Sequence, residues 1–113
     1  MNPPAPRYTV AVSAAVRERL VQLSDLAARD ARVELFLTAL DSITHRLQND
    51  PGGFGEEVYD LRAMRLTVRV GVILPLAVEF SIHPTERVVF VTAFRYIPSG
   101  FVPPSNGNES GAA

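Results

Sequence analysis

The hydrophobic period of this chain changes once, across Asn49-Asp50-Pro51-Gly52-Gly53, and that change constrains its architecture more than any other feature. Before it, apolar residues recur at helical spacing. Val16, Leu20, Leu23 and Ala27 form one stripe, and Val33, Phe36, Leu37, Leu40, Ile43 and Leu47 form a second. From Glu56 onward the period is two, as in Leu66, Val68, Val70 and again in Leu76, Val78, Phe80, Ile82. Two helices followed by a run of strands predict an α+β domain, with the helices gathered on one face of a sheet.

Local signals set the boundaries. Arg7 to Val12 alternates and is rich in strand formers, so it reads as a first strand. Ser13 is an N-cap for a helix running to Arg29. Asp30 is the N-cap expected for the second helix, with Glu34 in its first turn. So short a link makes the helices antiparallel neighbours. Proline and glycine at 51–53 end the second helix. Strands are expected at Glu57–Leu61, Arg65–Val70, Leu76–Ile82 and Arg87–Tyr96, with His83 to Glu86 as a hairpin turn. Pro75 delays the start of its strand. The last strand, almost wholly apolar, is expected at the centre of an antiparallel sheet, covered on both sides. The predicted order is β-α-α-β-β-β, with one further strand. Residues 7–97 form one domain, and the Pro- and Gly-rich ends, 1–6 and 98–113, are expected to be disordered. Roughly 90 ordered residues bury about 60–65% of the surface of the unfolded chain, enough for one core.

Composition removes several chemistries. With no cysteine there is no disulfide, thiolate metal site or cysteine nucleophile. His45 and His83 lack ligand spacing, so neither metal nor cofactor is expected. All eleven basic residues are arginine, and without lysine the Gly52-Gly53 turn cannot belong to a Walker phosphate loop. Any phosphate or carboxylate contact must use the forked guanidinium. A net charge of −1 argues against a broad nucleic-acid footprint, although a local patch is compatible with it. No window reaches the ~18 apolar residues of a membrane span, and Met1 to Pro6 is not a signal sequence. A soluble, cytoplasmic protein is expected.

The candidate site lies in the strands. With Val88, Phe90, Thr92 and Phe94 turned toward the helices, Arg87 and Arg95 point to the other sheet face, where Arg65 and Arg69 join them. That gives either an RNA-sized patch or an ordinary solvated face with scattered ion pairs, Glu79 being one acid within reach. Tyr59 and Tyr96 are the proton-transfer candidates, each equally a half-buried sheet residue with a wet hydroxyl. His83 is a turn residue of the same kind, or a general acid or base.

This arrangement resembles the RelE/ParE toxin superfamily of type II toxin–antitoxin and plasmid-stabilisation systems. The resemblance covers about residues 8–96. It rests on Tyr8-Thr9-Val10, on the helical hairpin closing in Leu47-Gln-Asn-Asp-Pro51, on Phe54-Gly55-Glu56 entering a strand, and on the paired strands 76–82 and 87–94. It implies a toxin-like component, in RelE form a ribosome-dependent mRNA endoribonuclease with Arg69, Arg95 and Tyr96 as catalytic residues. Arg62, Arg65 and Arg87 would then be the RNA-binding cations. Such chemistry needs a proton acceptor for the 2′-hydroxyl, charge stabilisation at phosphorus and a proton for the leaving oxygen. Pro75 stands where the family commonly has an arginine opening its fourth strand. The alternative reading is therefore a non-catalytic module, either a ParE-like inhibitor of a protein target or a detoxified homologue. The implied partners are a small antitoxin, docked in an apolar groove between helices and sheet edge, and as target the ribosome with its mRNA, or gyrase.

Overall fold

The computed structural model describes residues 7–61 and 66–98. Expectations for residues 1–6 and 99–113, and for Arg62 and Arg65, lie outside the described residues. The elements are β1 (Thr9–Val12), α1 (Ala14–Arg29), α2 (Val33–Asn49), a 3-10 turn at Pro51–Gly53, β2 (Glu56–Leu61), β3 (Leu66–Ile73), β4 (Leu76–His83) and β5 (Val88–Tyr96). The α+β class and the order β-α-α-β-β-β-β are as the sequence predicts. The sheet, of strand order β1-β5-β4-β3-β2, is mixed and not purely antiparallel, because β1 joins β5 in parallel, Thr9 beside Val88 and Val12 beside Val91.

Helix α1 starts as expected: the Ser13 hydroxyl accepts a hydrogen bond from the Val16 N–H at 3.2 Å. Its end differs from expectation. The N–H of Ala31 bonds to the Ala28 carbonyl and that of Arg32 to the Ala27 carbonyl, while Ala31 sits at φ 56°. This is a Schellman closure with alanine in the left-handed position. Asp30 is consequently the C-cap of α1 and not the N-cap of α2; Arg32 opens α2 without a side-chain cap.

One core lies between the helices and one sheet face. Leu23 and Ala27 of α1, Phe36, Ala39, Ile43 and Leu47 of α2 and Leu76, Val78, Phe80 and Ile82 of β4 are buried there. Each large apolar side chain so buried contributes about 1.5–3 kcal/mol. Two members of the expected α2 stripe fall outside it. Val33 and Leu37 are exposed and Ala39 takes the buried place, since the helix meets the sheet along a line rotated from the one its bulkiest residues suggest. Phe54 stacks on Phe80 (5.8 Å between ring centres) above Gly71, where an added Cβ would stand 2.5 Å from the Phe54 ring.

Strand β5 departs from simple alternation. Glu79 pairs with Ala93 and Phe80 with Val91, so Thr92 is an extra residue, a β-bulge. Its hydroxyl donates to the Glu79 carbonyl at 3.1 Å and lies 2.8 Å from the Glu79 carboxylate. The bulge reverses the facing of the first half of the strand. Val89 and Val91, rather than Val88, Phe90 and Thr92, turn to the helices, while Phe94, beyond the bulge, faces them as expected. Nor is β5 covered on both faces, because Phe90 remains 40% exposed on the side away from the helices.

Candidate functional site

Register decides where the candidate residues stand, because directly opposed residues share a sheet face. Arg69 pairs with Phe80, whose ring is in the core beneath the helices, so Arg69 stands on the helix face. Arg95 pairs with Ala77, one step out of phase with the inward Leu76 and Val78, and stands on the opposite face. Tyr96 pairs with Leu76 and packs against the core from the helix face. The three residues expected to converge are thus divided between the two sides of the sheet. Arg95 stands on the face expected of it; the expected alignment with Arg69 is corrected by the phase of β3, in which Thr67, Arg69 and Gly71 pair with the core-facing Ile82, Phe80 and Val78.

Each group also has its own surroundings. Arg69 donates through Nε to the Phe54 carbonyl at 3.0 Å and through Nη2 to the Gly55 carbonyl at 2.7 Å. It fastens the segment that enters β2, where Gly55 has φ 75° and a Cβ would lie 2.3 Å from the Val70 carbonyl oxygen. Arg46 holds the same segment from α2, donating to the Gly53 carbonyl at 2.9 Å and lying 5.0 Å from the centre of the Phe54 ring. Arg87, in the connection before β5 at φ 55°, lies over the Tyr8 ring at 4.4 Å, and its carbonyl accepts the Thr9 N–H. Cation–π contacts of this kind contribute about 0.5–1 kcal/mol at exposed sites.

Tyr96 belongs to a cluster that the sequence did not announce. Its hydroxyl donates to Asp30 Oδ2 at 2.7 Å. Arg32 donates from Nη1 to the Ile97 carbonyl at 3.2 Å and lies 3.5 Å from the Tyr96 hydroxyl, with its guanidinium 5.7 Å from the ring centre. Burial first, and then the hydrogen bond to Asp30, raise the Tyr96 pKa above its ordinary 10.0, against the opposing pull of Arg32. A phenolate is therefore scarcer here than in free tyrosine, which disfavours a general base. Asp30 looks like a helix cap in the sequence; only the tertiary fold brings it to residue 96, and no local signal could have revealed that.

Arg95 is exposed, and among the described residues it has no ion-pair or hydrogen-bond partner. It borders a shallow depression of about 350 Å³ with Val70, Ala77, Glu79 and Ala93. His83, at the end of β4, has Nδ1 3.7 Å from Glu86. The groove beside α2, near Ile73, is lined mainly by polar residues, including Asp41, His45 and Arg46. An apolar one, of about 530 Å³, lies where β1 passes into α1, lined by Ala11, Val12, Val16 and Phe90 among others. Among the described residues no three histidine or carboxylate side chains form a metal-binding group, and no helix is long and apolar enough to cross a membrane. Comparison with protein-family models, curated proteins and solved structures found no match.

Proposed function

We propose that this chain is a non-catalytic, toxin-fold binding module of RelE/ParE type, acting in the cytoplasm through protein contacts. The observation that carries this reading is the separation of Arg69 from Arg95 by the thickness of the sheet. A ribonuclease of the RelE kind needs its phosphate-binding cations and proton-transfer group around one scissile phosphate. Here Arg69 is engaged with backbone carbonyls and Tyr96 with Asp30. The endoribonuclease reading has less support for that reason, and Pro75 in place of an arginine points the same way.

The partner in this reading is a small antitoxin-type protein, and its dock is the apolar groove between β1 and α1. An amphipathic helix or an extended segment is the occupant such a groove suits. The experiment is co-expression with the product of an adjacent small reading frame. A complex that copurifies, and that is lost on Val16→Asp with the fold intact by circular dichroism, is the expected result. A chain that purifies alone whichever neighbour is supplied would overturn the partner.

A further inference from the structure

The sheet has helices on one face only. Its other face carries Phe90 and Val72, 40% and 52% exposed, with Val70, Ala77 and Ala93 between them, while Val68 and Ser81 farther along the same face are buried. Antiparallel sheets that leave one face to water normally alternate apolar with polar, and this face does not. An apolar face of this extent calls for a covering layer.

Two charged residues interrupt its middle, and their positions say what that layer is. Ala77 opposes Arg95 and Glu79 opposes Ala93, so the four residues form a small rectangle with the charges on one diagonal and the alanines on the other. They border the depression of about 350 Å³, whose floor is low because two of its members are alanine. Arg95 has no ion-pair partner among the described residues. A two-fold axis in the plane between two such faces, crossing the Glu79–Arg95 diagonal at its midpoint, sets each guanidinium over the other copy's carboxylate. The same operation, its axis running along the other diagonal, sets Ala77 near the other copy's Ala77 and Ala93 near its Ala93, where small side chains let the faces approach. Faces of packed sheets lie about 10 Å apart, a gap that an arginine and a glutamate can span between them. A surface with one acid and one base about a pseudo-dyad is self-complementary, as an isologous interface requires.

We infer that the uncovered sheet face is a homodimer interface, in which Arg95 of each copy pairs with Glu79 of the other across an apolar surround. Five strands about 4.8 Å apart, with eight residues in each of β3 and β4, give the whole face roughly 600 Å² per copy, so with the end around Val68 and Ser81 already buried the pair covers less than about 1,200 Å². That lies below the usual range of stable interfaces, so a weak, reversible dimer is expected. The dimer does not rest on the toxin-fold reading, although Phe90 also lines the groove assigned above to a partner, so the two would compete for it.

The test is sedimentation velocity on the full chain from about 1 to 100 μM, spanning the affinities usual for interfaces of this size. A species of twice 12.3 kDa should accumulate with concentration. Val72→Glu, at an exposed position, should weaken association about tenfold or more. Glu79→Arg and Arg95→Glu should each weaken it, and the double exchange E79R/R95E should restore it, with unchanged circular dichroism throughout. A monomer at every concentration, as when another segment or a different protein covers the face, would overturn the inference. So would a dimer indifferent to Val72→Glu and to both charge reversals, or single losses that the double exchange fails to repair.

Discussion

The hydroxyl of Tyr96, at the end of β5, donates a 2.7 Å hydrogen bond to the carboxylate of Asp30, in the turn between the helices. The contact spans 66 residues of sequence and ties the helical hairpin to the sheet. Hydrogen bonds to charged acceptors contribute about 1.5–3 kcal/mol, less where water reaches them. Tyr96→Phe should therefore cost about 1–2 kcal/mol, which for a domain of this size lowers Tm by several degrees.

The same contact gives a pH signature. A raised folded-state pKa means that the native protein holds its phenolic proton more tightly than the unfolded chain does. The stabilisation is complete below the ordinary pKa of 10.0 and is lost as pH rises from there through the folded value. Thermal melts between about pH 8 and 11 should show the wild type losing stability on the alkaline side more steeply than Tyr96→Phe. Parallel profiles for the two proteins would contradict the assignment.

Arg69 is a clamp in this account, so its loss should read out in stability. Arg69→Ala removes two bonds to the Phe54 and Gly55 carbonyls and should cost about 1–3 kcal/mol in urea unfolding. Arg69→Lys should recover only part of this, because an ammonium does not reproduce the fork. An Arg69→Ala protein as stable as wild type would show that the clamp carries no weight.

Ala31 closes α1 in a left-handed conformation, φ 56°, that costs a non-glycine residue about 1–2 kcal/mol. Glycine escapes that cost but loses more chain entropy on folding. Ala31→Gly should thus raise stability by about 0.5–1 kcal/mol, by the balance of those two effects. A lower Tm for Ala31→Gly would mean that the Schellman closure is not populated.

Gly71 tests the opposite case. A methyl there would meet the Phe54 ring at 2.5 Å, and that ring is itself stacked on Phe80. Gly71→Ala should cost about 1–3 kcal/mol as overpacking, measured by the same urea unfolding.

Much of the fold was legible in the sequence because it depends on local rules. Ser13 as N-cap, the glycine and proline after Asn49 and the period-two strands all act within a few residues. What was not legible depends on tertiary choice. Thr92 is an ordinary strand residue by type, and nothing beside it marks a bulge, yet that one insertion turns Val89 and Val91 inward and Phe90 outward. Asp30 has cap chemistry but is drawn to Tyr96. Leu37 reads as core but is 54% exposed, the core side of α2 being set by the sheet beneath it. The candidate site suffered most, because convergence of arginines is a matter of strand phase. A single-residue shift in phase sends a side chain to the other face.

The most direct test of the central claim is to titrate the purified protein into a cell-free translation reaction and map messenger ends by primer extension. With Arg69 and Arg95 on opposite faces, the messenger should stay intact at every concentration, with or without translating ribosomes. Cleavage at codon positions, abolished by Arg95→Ala, would contradict the account and restore a ribosome-dependent nuclease.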